Sequence, residues 1–243
     1  MATEEFASVW TRPKRKRREQ PALSQEQIVA EAIKLLDADG LEALSMRKLG
    51  AALGAVATAV YWHVANKEEL MELVVDHVYG EIEVPRVEDP AKWRAAATEF
   101  AQTFRALILR HPWMGATLAG AGVTYLGPNM LRLSDEMLGL YEAAGFDLQE
   151  ANLASTAVLS FVVGIASTEA ATLNQVKRSG LSAEDWMASA WPAARQAAES
   201  LPRLKALYAA YDAAAASGNG DETFDYGLAR VLDGLAARLA TQR

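Results

Sequence analysis

The stretch that decides the fold runs from Ser45 to Lys67 and reads SMRKLGAALGAVATAVYWHVANK. Within it, Leu49 and Leu53 are one helical turn apart, and Gly54 after them is a typical helix break. A second short helical run, residues 57–63, follows this glycine. A helix, a tight glycine turn and a second short helix make a helix-turn-helix, whose second helix can lie in the major groove of DNA.

Capping patterns mark the helices on either side of this stretch. Ser24 with Gln27, and Asn66 with Glu69, have the spacing of a capping box, which satisfies free N–H groups at a helix start. We therefore predict one helix before the quoted stretch and one after it. Together with the two motif helices, they make a DNA-binding domain over residues 21–84.

The helix that follows Asn66 should connect this domain to the rest of the chain. Its apolar residues recur at helical spacing and are Leu70, Met71, Val74, Val78 and Ile82. Because Pro85 cannot continue a helix, we predict that the helix runs as far as this proline. The domain boundary is placed there, so that residues 85–243 form a second, larger domain.

The same residues resemble the signature of TetR-type transcriptional regulators, G-(x)6-Y-W-H-x-x-N-K-x-x-L. The matching positions are Gly54, Tyr61-Trp62-His63, Asn66-Lys67 and Leu70, and the likeness covers residues 28–73. It implies a cytoplasmic regulator, more commonly a repressor, that binds a near-palindromic operator in double-stranded DNA as a homodimer. It also implies that a small molecule bound to the second domain releases the DNA.

Arg47 is the predicted base-reading residue. Arg47 and Lys48 lie in the first turn of the first motif helix, where both can face a DNA backbone or a base edge. An arginine there can present two donors to O6 and N7 of a guanine. The resemblance supports this role, since several TetR-type regulators carry a base-reading arginine here. Thr58 is predicted to contact a base or a thymine methyl group. Ala57 and Ala59 offer only methyl groups, so the rest of the specificity should come from DNA shape.

Residues at the end of the second motif helix are predicted to hold the DNA backbone. Tyr61 and His63 are expected to donate to phosphates, while Trp62 beside them is expected mainly to pack. Lys67 begins the next helix, where its ammonium and the free N–H groups of the helix end can bind one phosphate together. A structural role is the alternative for His63, and a plain surface position is the alternative for Arg47.

Charge is unevenly distributed along the chain. The formal net charge is -7, which alone argues against a polyanionic partner, yet residues 12–18 hold six positive charges in seven residues. Besides Arg12, the cations of this cluster are Lys14, Arg15, Lys16, Arg17 and Arg18. We predict that residues 1–20 form a mobile basic arm that follows phosphates or enters a minor groove. A solvated tail without DNA contact is the alternative.

Signals in the second domain are helical throughout. Asp89-Pro90 and Gly127-Pro128 predict helix starts, and Asp147 with Glu150 predicts the start of a long helix toward Arg178. Pro192 and Pro202 are expected to break the region that follows. No strand pattern competes, so the predicted class is all-α.

The last helix and the long helix are the predicted dimer contacts. Phe224, Leu228, Val231, Leu235 and Leu239 follow steps of four, three, four and four, close to a coiled-coil seam. On the long helix, Gly164 permits close approach of another helix. The resemblance implies that these two helices of each subunit form a four-helix dimer interface. The alternative is that both lie in the core of one subunit.

The second domain also holds candidate effector contacts. Bulky or adaptable side chains suited to a mostly apolar cavity are Trp113, Met114, Tyr125, Met130, Met137, Phe161 and Trp191. Any one of them is also explained as ordinary core. Glu169 loosely matches an acid that tetracycline-binding members use with magnesium, but no histidine follows His111. We therefore expect a small, mostly apolar effector and no metal or cofactor.

Several other classes of protein are disfavoured. The chain has no cysteine, which excludes disulfides and thiolate metal sites. The uncharged run of residues 151–168 contains six polar residues and is too polar for a membrane span. Glu4 and Glu5 without a following apolar core argue against a signal peptide.

An enzyme is the strongest alternative from a different class, and the motifs argue against it. The run Gly120-Ala-Gly122 lacks a third glycine and a preceding strand, so it does not make a dinucleotide site. Phosphate-loop, G-x-S-x-G and H-E-x-x-H motifs are also missing from the sequence. The remaining alternative is a helical small-molecule-binding protein that does not contact DNA.

Overall fold

The computed structural model describes residues 23–121, 127–216 and 223–241, and these residues contain eleven α-helices and no strand. The first four helices are α1 (Gln25–Asp39), α2 (Met46–Ala52), α3 (Ala57–Tyr61) and α4 (Lys67–Tyr79). The others are α5 (Trp93–Arg110), α6 (Trp113–Ala121), α7 (Pro128–Ala144), α8 (Leu148–Ser179), α9 (Ala183–Ala198), α10 (Pro202–Ala216) and α11 (Thr223–Thr241). The predicted all-α class is confirmed. The predicted basic arm and Tyr125 lie outside the described residues.

The capping box at the start of α1 is confirmed. Ser24 Oγ accepts the N–H of Gln27 at 3.2 Å, and Gln27 Oε1 accepts the N–H of Ser24 at 2.9 Å. Apolar side chains on the inner faces of α1 to α4, and Val64 between α3 and α4, are fully buried; those on the helices are Ile28, Ala32, Leu49, Val60, Leu70 and Val74. This small core holds α2 and α3 in a fixed relation to the connecting helix α4.

Gly54 makes the turn between the two motif helices. Its φ of +63° lies in the left-handed region, which a residue with a side chain rarely adopts. Just after it, the N–H of Ala55 donates to the carbonyl of Gly50 at 2.8 Å, which folds the chain back onto α2. The predicted helix, glycine turn and helix are therefore present, although α3 ends at Tyr61 and not at residue 63.

The connecting helix is shorter than predicted. It ends at Tyr79, and a turn in which the N–H of Ile82 donates to the carbonyl of Tyr79 at 3.2 Å replaces its last predicted part. Gly80 stands directly against α7, because a side chain on it would come within 3.1 Å of Asn129 Nδ2. The chain turns where it meets α7, so Pro85 falls in a segment that has already left the helix.

The second domain differs from the prediction at Pro192 and at α6. Pro192 lies inside α9 and does not break it, because this residue is exposed and water can satisfy the carbonyl that loses its partner. The separate helix α6 was not predicted. Pro202 begins α10, as a proline at a helix start can.

Helix α8 is the centre of the second domain. It packs against α5, α6, α7 and α11. The largest buried side chains in this region come from its neighbours, with Phe100 and Phe104 on α5 and Tyr141 on α7. Phe104 also stacks on Tyr79 of α4, with 6.2 Å between ring centroids. The apolar core is therefore continuous from the connecting helix into the second domain.

Helix α8 is also long and apolar enough to cross a membrane by length and composition alone. In this structure it is a packed helix of the bundle. Its outward face carries hydroxyl and amide side chains, including Asn152, Thr156, Ser160 and Thr168. One face of α8 is therefore packed against other helices of the chain, and the other face leaves polar side chains exposed.

Candidate nucleic-acid interface and effector domain

Three of the predicted DNA contacts lie on the exposed side of the helix-turn-helix. Ser45 Oγ accepts the N–H of Lys48 at 3.2 Å, and this cap starts α2 so that Arg47 falls in its first turn and is exposed. Thr58 is exposed on α3, and Tyr61 one turn later is 45% exposed. Side chains that must reach a DNA groove or phosphate need this accessibility.

Lys48 already has a partner inside the chain. Its ammonium donates to Asp39 Oδ2 at 2.5 Å, and both side chains are about half exposed. The hydrogen bond from Lys48 lowers the pKa of the Asp39 carboxyl below its ordinary value. A DNA phosphate that binds Lys48 must compete with this carboxylate. The contribution of Lys48 to DNA affinity is therefore reduced.

Trp62 is 73% exposed, so the expectation that it mainly packs is wrong. Trp62 follows α3 directly and keeps helical backbone angles, with φ of -70° and ψ of -25°. His63 was predicted to donate to a phosphate, but its Nε2 atom is buried. His63 and Trp62 line a cleft of about 200 Å³ with Leu53 and Ala59. A phosphate contact through His63 Nε2 would require the ring to turn.

Lys67 is placed differently from the prediction. Its ammonium donates to the carbonyl of Leu41 at 3.1 Å, which ties the start of α4 to the turn after α1. Asn66 Oδ1 accepts the N–H of Glu69 at 2.7 Å, and Glu69 Oε2 accepts the N–H of Ala65 at 2.8 Å. The start of α4 is therefore already complemented by a carboxylate and an amide oxygen, which compete with any phosphate there.

Val56 is a surface residue that sequence reasoning missed. It precedes α3, is 71% exposed, and presents two methyl groups two residues before Thr58. Apolar contact with a thymine methyl group is a recognised form of base readout. No sequence pattern signals this role, because a valine beside a short apolar helix is indistinguishable from a core residue.

Most predicted effector contacts are core residues in this conformation. Trp113, Met114 and Met137 are buried, and Met130 and Phe161 are partly buried against the same core. The indole N–H of Trp113 donates to Asp37 Oδ1 at 2.7 Å, so this residue joins the two predicted domains. Trp191 contacts α10, with 5.0 Å between its ring centroid and that of Tyr208.

Glu169 is paired with an arginine that the sequence did not single out. Arg105 Nε lies 2.8 Å from Glu169 Oε2, and Arg105 Nη2 lies 2.6 Å from Oε1. The guanidinium is also 4.9 Å from the centre of the Phe224 ring, which contacts Phe161. Among the described residues, no cluster of three acidic, histidine or cysteine side chains could hold a metal ion.

Two buried hydroxyl groups of the second domain have no hydrogen-bond partner among the described residues. They are Tyr141 Oη and Ser167 Oγ. Burial raises the pKa of Tyr141, so its hydroxyl stays protonated and can donate. Ser167 Oγ faces Gly115 of α6 so closely that a side chain at this glycine would lie 2.4 Å from it. An unpaired buried hydroxyl is costly, which makes both atoms candidate contacts for a polar group of a ligand.

The predicted dimer residues separate into two groups. Phe224 and Leu228 are buried within their own subunit, which leaves little of either side chain for a partner to contact. Coiled-coil spacing marks the face that packs on a helix but does not tell whether that helix belongs to a partner. Val231 and Leu235 are partly buried, and Gly164 is exposed with nothing within 4 Å of an added side chain.

An open cleft lies at the far end of α11. It has a volume of about 650 Å³ and is lined by Asp89, Pro90, Ala91, Trp93, Ala144, Ala236, Leu239 and Ala240. The predicted effector contacts do not line this cleft.

Comparison with protein families matches two models to the chain. Residues 28–74 match the model described as bacterial regulatory proteins, tetR family, and residues 85–239 match the tetracyclin repressor-like, C-terminal domain. Two related proteins are similar over most of their length. An HTH-type transcriptional regulator of Saccharopolyspora erythraea is 39% identical over 69% of this chain and 70% of its own. The HTH-type transcriptional repressor DrrR1 of Streptomyces coeruleorubidus is 30% identical over 92% of this chain and 81% of its own.

Solved structures give the same match. ActR of Streptomyces coelicolor, without ligand, superimposes with a TM-score of 0.69 at 28% identity, over 89% of this chain and 98% of its own. The complex of ActR with actinorhodin matches with the same values.

Proposed function

The chain belongs to the tetR family of bacterial regulatory proteins, and we propose that it is a ligand-responsive repressor of transcription that binds its operator as a homodimer. The observation that carries the proposal is the exposed surface of α2 and α3. There, Arg47, Thr58 and Tyr61 reach solvent beside a glycine turn that fits a helix-turn-helix. An enzyme is not favoured, since members of this family regulate transcription.

A homodimer is supported by the outward face of α8. Among its polar side chains this face also carries Leu153, which is 55% exposed although apolar surface in water gains from being covered. Small side chains on this face, such as those of Ala157, Ser160 and Gly164, allow another helix to approach closely. A second copy related by a two-fold axis would place two reading helices about 34–36 Å apart, as two half-sites of a near-palindromic operator require.

The effector is proposed to be a small, mostly apolar molecule that binds within the second domain. The relative ActR has been solved in complex with actinorhodin, a ligand held by that protein. In this chain, the region where α6 meets α8 offers flexible Met114 and the unpaired hydroxyl of Ser167. Binding there would require the core around Met114 to repack, which is a means of changing the arrangement of the helices.

The basic arm is expected to add affinity without adding specificity. Deleting residues 1–20 should weaken operator binding most at low salt, because each cation that contacts a phosphate releases counterions. The slope of log affinity against log salt should flatten by about 0.9 for each phosphate that the arm neutralises in the full-length protein. Fluorescence-anisotropy titrations over a range of salt concentrations measure this slope for the full-length and the shortened protein. An unchanged slope would show that the arm does not contact DNA.

Genome-wide mapping of the bound sites in the source bacterium tests the proposed function directly. We expect a small set of sites that share two similar half-sites, and a gel shift should reproduce binding to each one at physiological salt. The protein is expected to act in the cytoplasm, where this DNA lies. The absence of any enriched site, with intact folded protein, would favour the helical small-molecule-binding alternative.

A further inference from the structure

Asp76 lies where the connecting helix α4 meets α7. The residue is 5% exposed, yet its carboxylate has three donors. Oδ1 accepts the backbone N–H groups of Asn129 at 2.9 Å and Met130 at 3.0 Å, and Oδ2 accepts Asn129 Nδ2 at 3.0 Å. These amides belong to the first turn of α7, whose free N–H groups and positive dipole end favour an anion.

Asp76 supplies a cap that α7 does not have within its own sequence. The residue before the helix is Gly127, which makes no side-chain cap. A side chain at this position would lie 2.1 Å from Asp76 Oδ1, so the carboxylate occupies the space that an ordinary capping residue would fill. The glycine and the acid fit each other, although they lie far apart along the chain.

A second carboxylate of the DNA-binding domain holds the start of α6. Asp37 on α1 accepts the indole N–H of Trp113 at 2.7 Å and lies 2.8 Å from His111 Nδ1. The starts of α6 and α7 are therefore each held by an aspartate from a helix of the DNA-binding domain, Asp37 on α1 and Asp76 on α4. Asp76 is the more buried of these two aspartates, so its contact is the costlier one to break.

We propose that Asp76 is a positioning residue that fixes the orientation of α4, and through α4 of the reading helices, relative to the second domain. Apolar contacts such as that of Tyr79 with Phe104 tolerate sliding, whereas three hydrogen bonds to one buried carboxylate do not. A movement of the start of α7 must then carry α4 with it or leave a buried charge without donors. The link to operator binding rests on the function proposed above.

Two variants disturb this contact from opposite sides. Asp76→Asn keeps the shape but removes the charge and one acceptor oxygen, and Gly127→Ala pushes the carboxylate away from α7. Gly139→Ala is the matched control, because it adds the same methyl group to α7 where nothing lies within 4 Å. Asn129→Ala is a milder fourth variant that leaves the two backbone donors in place.

The orientation of the domains can be measured by pulsed electron spin resonance. Since the chain has no cysteine, Thr58→Cys with Glu142→Cys places one spin label on the reading helix and one on α7. Labelled subunits are diluted into an excess of unlabelled protein, so that only distances within one subunit are recorded. This readout needs neither DNA nor effector and is made well below the unfolding temperature of every variant.

We expect Asp76→Asn and Gly127→Ala to shift or broaden the label-to-label distances, with a smaller change for Asn129→Ala and none for Gly139→Ala. In the unlabelled protein, the first two variants should raise the operator Kd about 3- to 30-fold. Folded variants with the wild-type distance distribution would overturn the proposal. Failure of the wild-type protein to bind any DNA would overturn the proposed function instead, and the distances would still decide the role of Asp76.

Discussion

Replacing Gly164 with leucine is expected to separate the proposed homodimer into monomers and to raise the operator Kd by about 10²- to 10⁴-fold. Within one subunit the position is open, because Gly164 is exposed and nothing lies within 4 Å of a Cβ atom added to it. Leucine is also the better helix former by about 1 kcal/mol. Weaker binding would therefore arise between subunits, where a bulky side chain prevents close approach of α8 and its copy. The expected magnitude is the avidity that two linked half-sites add over one.

Gly139→Leu is the control for this prediction. Gly139 is likewise an exposed glycine inside a helix, with nothing within 4 Å of an added side chain, but it lies on α7. Sedimentation equilibrium gives the oligomeric state of each variant, and circular dichroism checks that the helices remain. A Gly164→Leu protein that stays dimeric and binds the operator as tightly as the wild type would remove this face of α8 from the interface.

Local signals in the sequence located the helix starts well. The side chains of Ser24, Asn66 and Asp147 each accept the N–H group of the residue three positions later, as the capping patterns predicted. Such a cap involves only neighbours in the chain, so the residue types are enough to predict it. The positive φ of Gly54 was predictable for the same reason.

Features set by distant parts of the chain were not predictable. The close approach of Gly80, at the end of α4, to Asn129 of α7 could not be predicted, because the two residues lie far apart along the chain. Apolar spacing marked Phe224 as a residue that must pack, but the packing partner proved to be Phe161 of the same subunit. Apolar spacing predicts that a side chain is buried, but the residues that pack against it are known only from the structure.

The candidate site shows the same division. The sequence identified exposed residues of the helix-turn-helix, including Arg47 and Tyr61, because the motif determines which face of each helix is free. It did not identify the partners that compete with DNA for two lysines, namely Asp39 for Lys48 and the Leu41 carbonyl for Lys67. Those partners lie nine and 26 residues away along the chain.

Arg47→Ala is the second large expected effect, and it concerns specificity. Removing an arginine that donates twice to one guanine should cost about 1–3 kcal/mol on the cognate operator and relax the preference at one base pair of each half-site. The exposed position of Arg47 in the first turn of α2 supports this role. Dissociation constants for the operator and for its single-base variants, all at one salt concentration, measure the change.

Lys48→Ala separates base reading from the simple removal of a charge. It removes the same charge from the neighbouring residue of α2, and the Lys48 ammonium is already partly neutralised by Asp39. The decrease in affinity should therefore be smaller and uniform across cognate, variant and random DNA. For Arg47→Ala, the decrease should be concentrated on sequences that carry the guanine, since non-cognate DNA never makes the bidentate contact. If Arg47→Ala lowers affinity equally for cognate and random DNA, Arg47 contacts the backbone, and specificity must come from Val56, Thr58 and the shape of the operator.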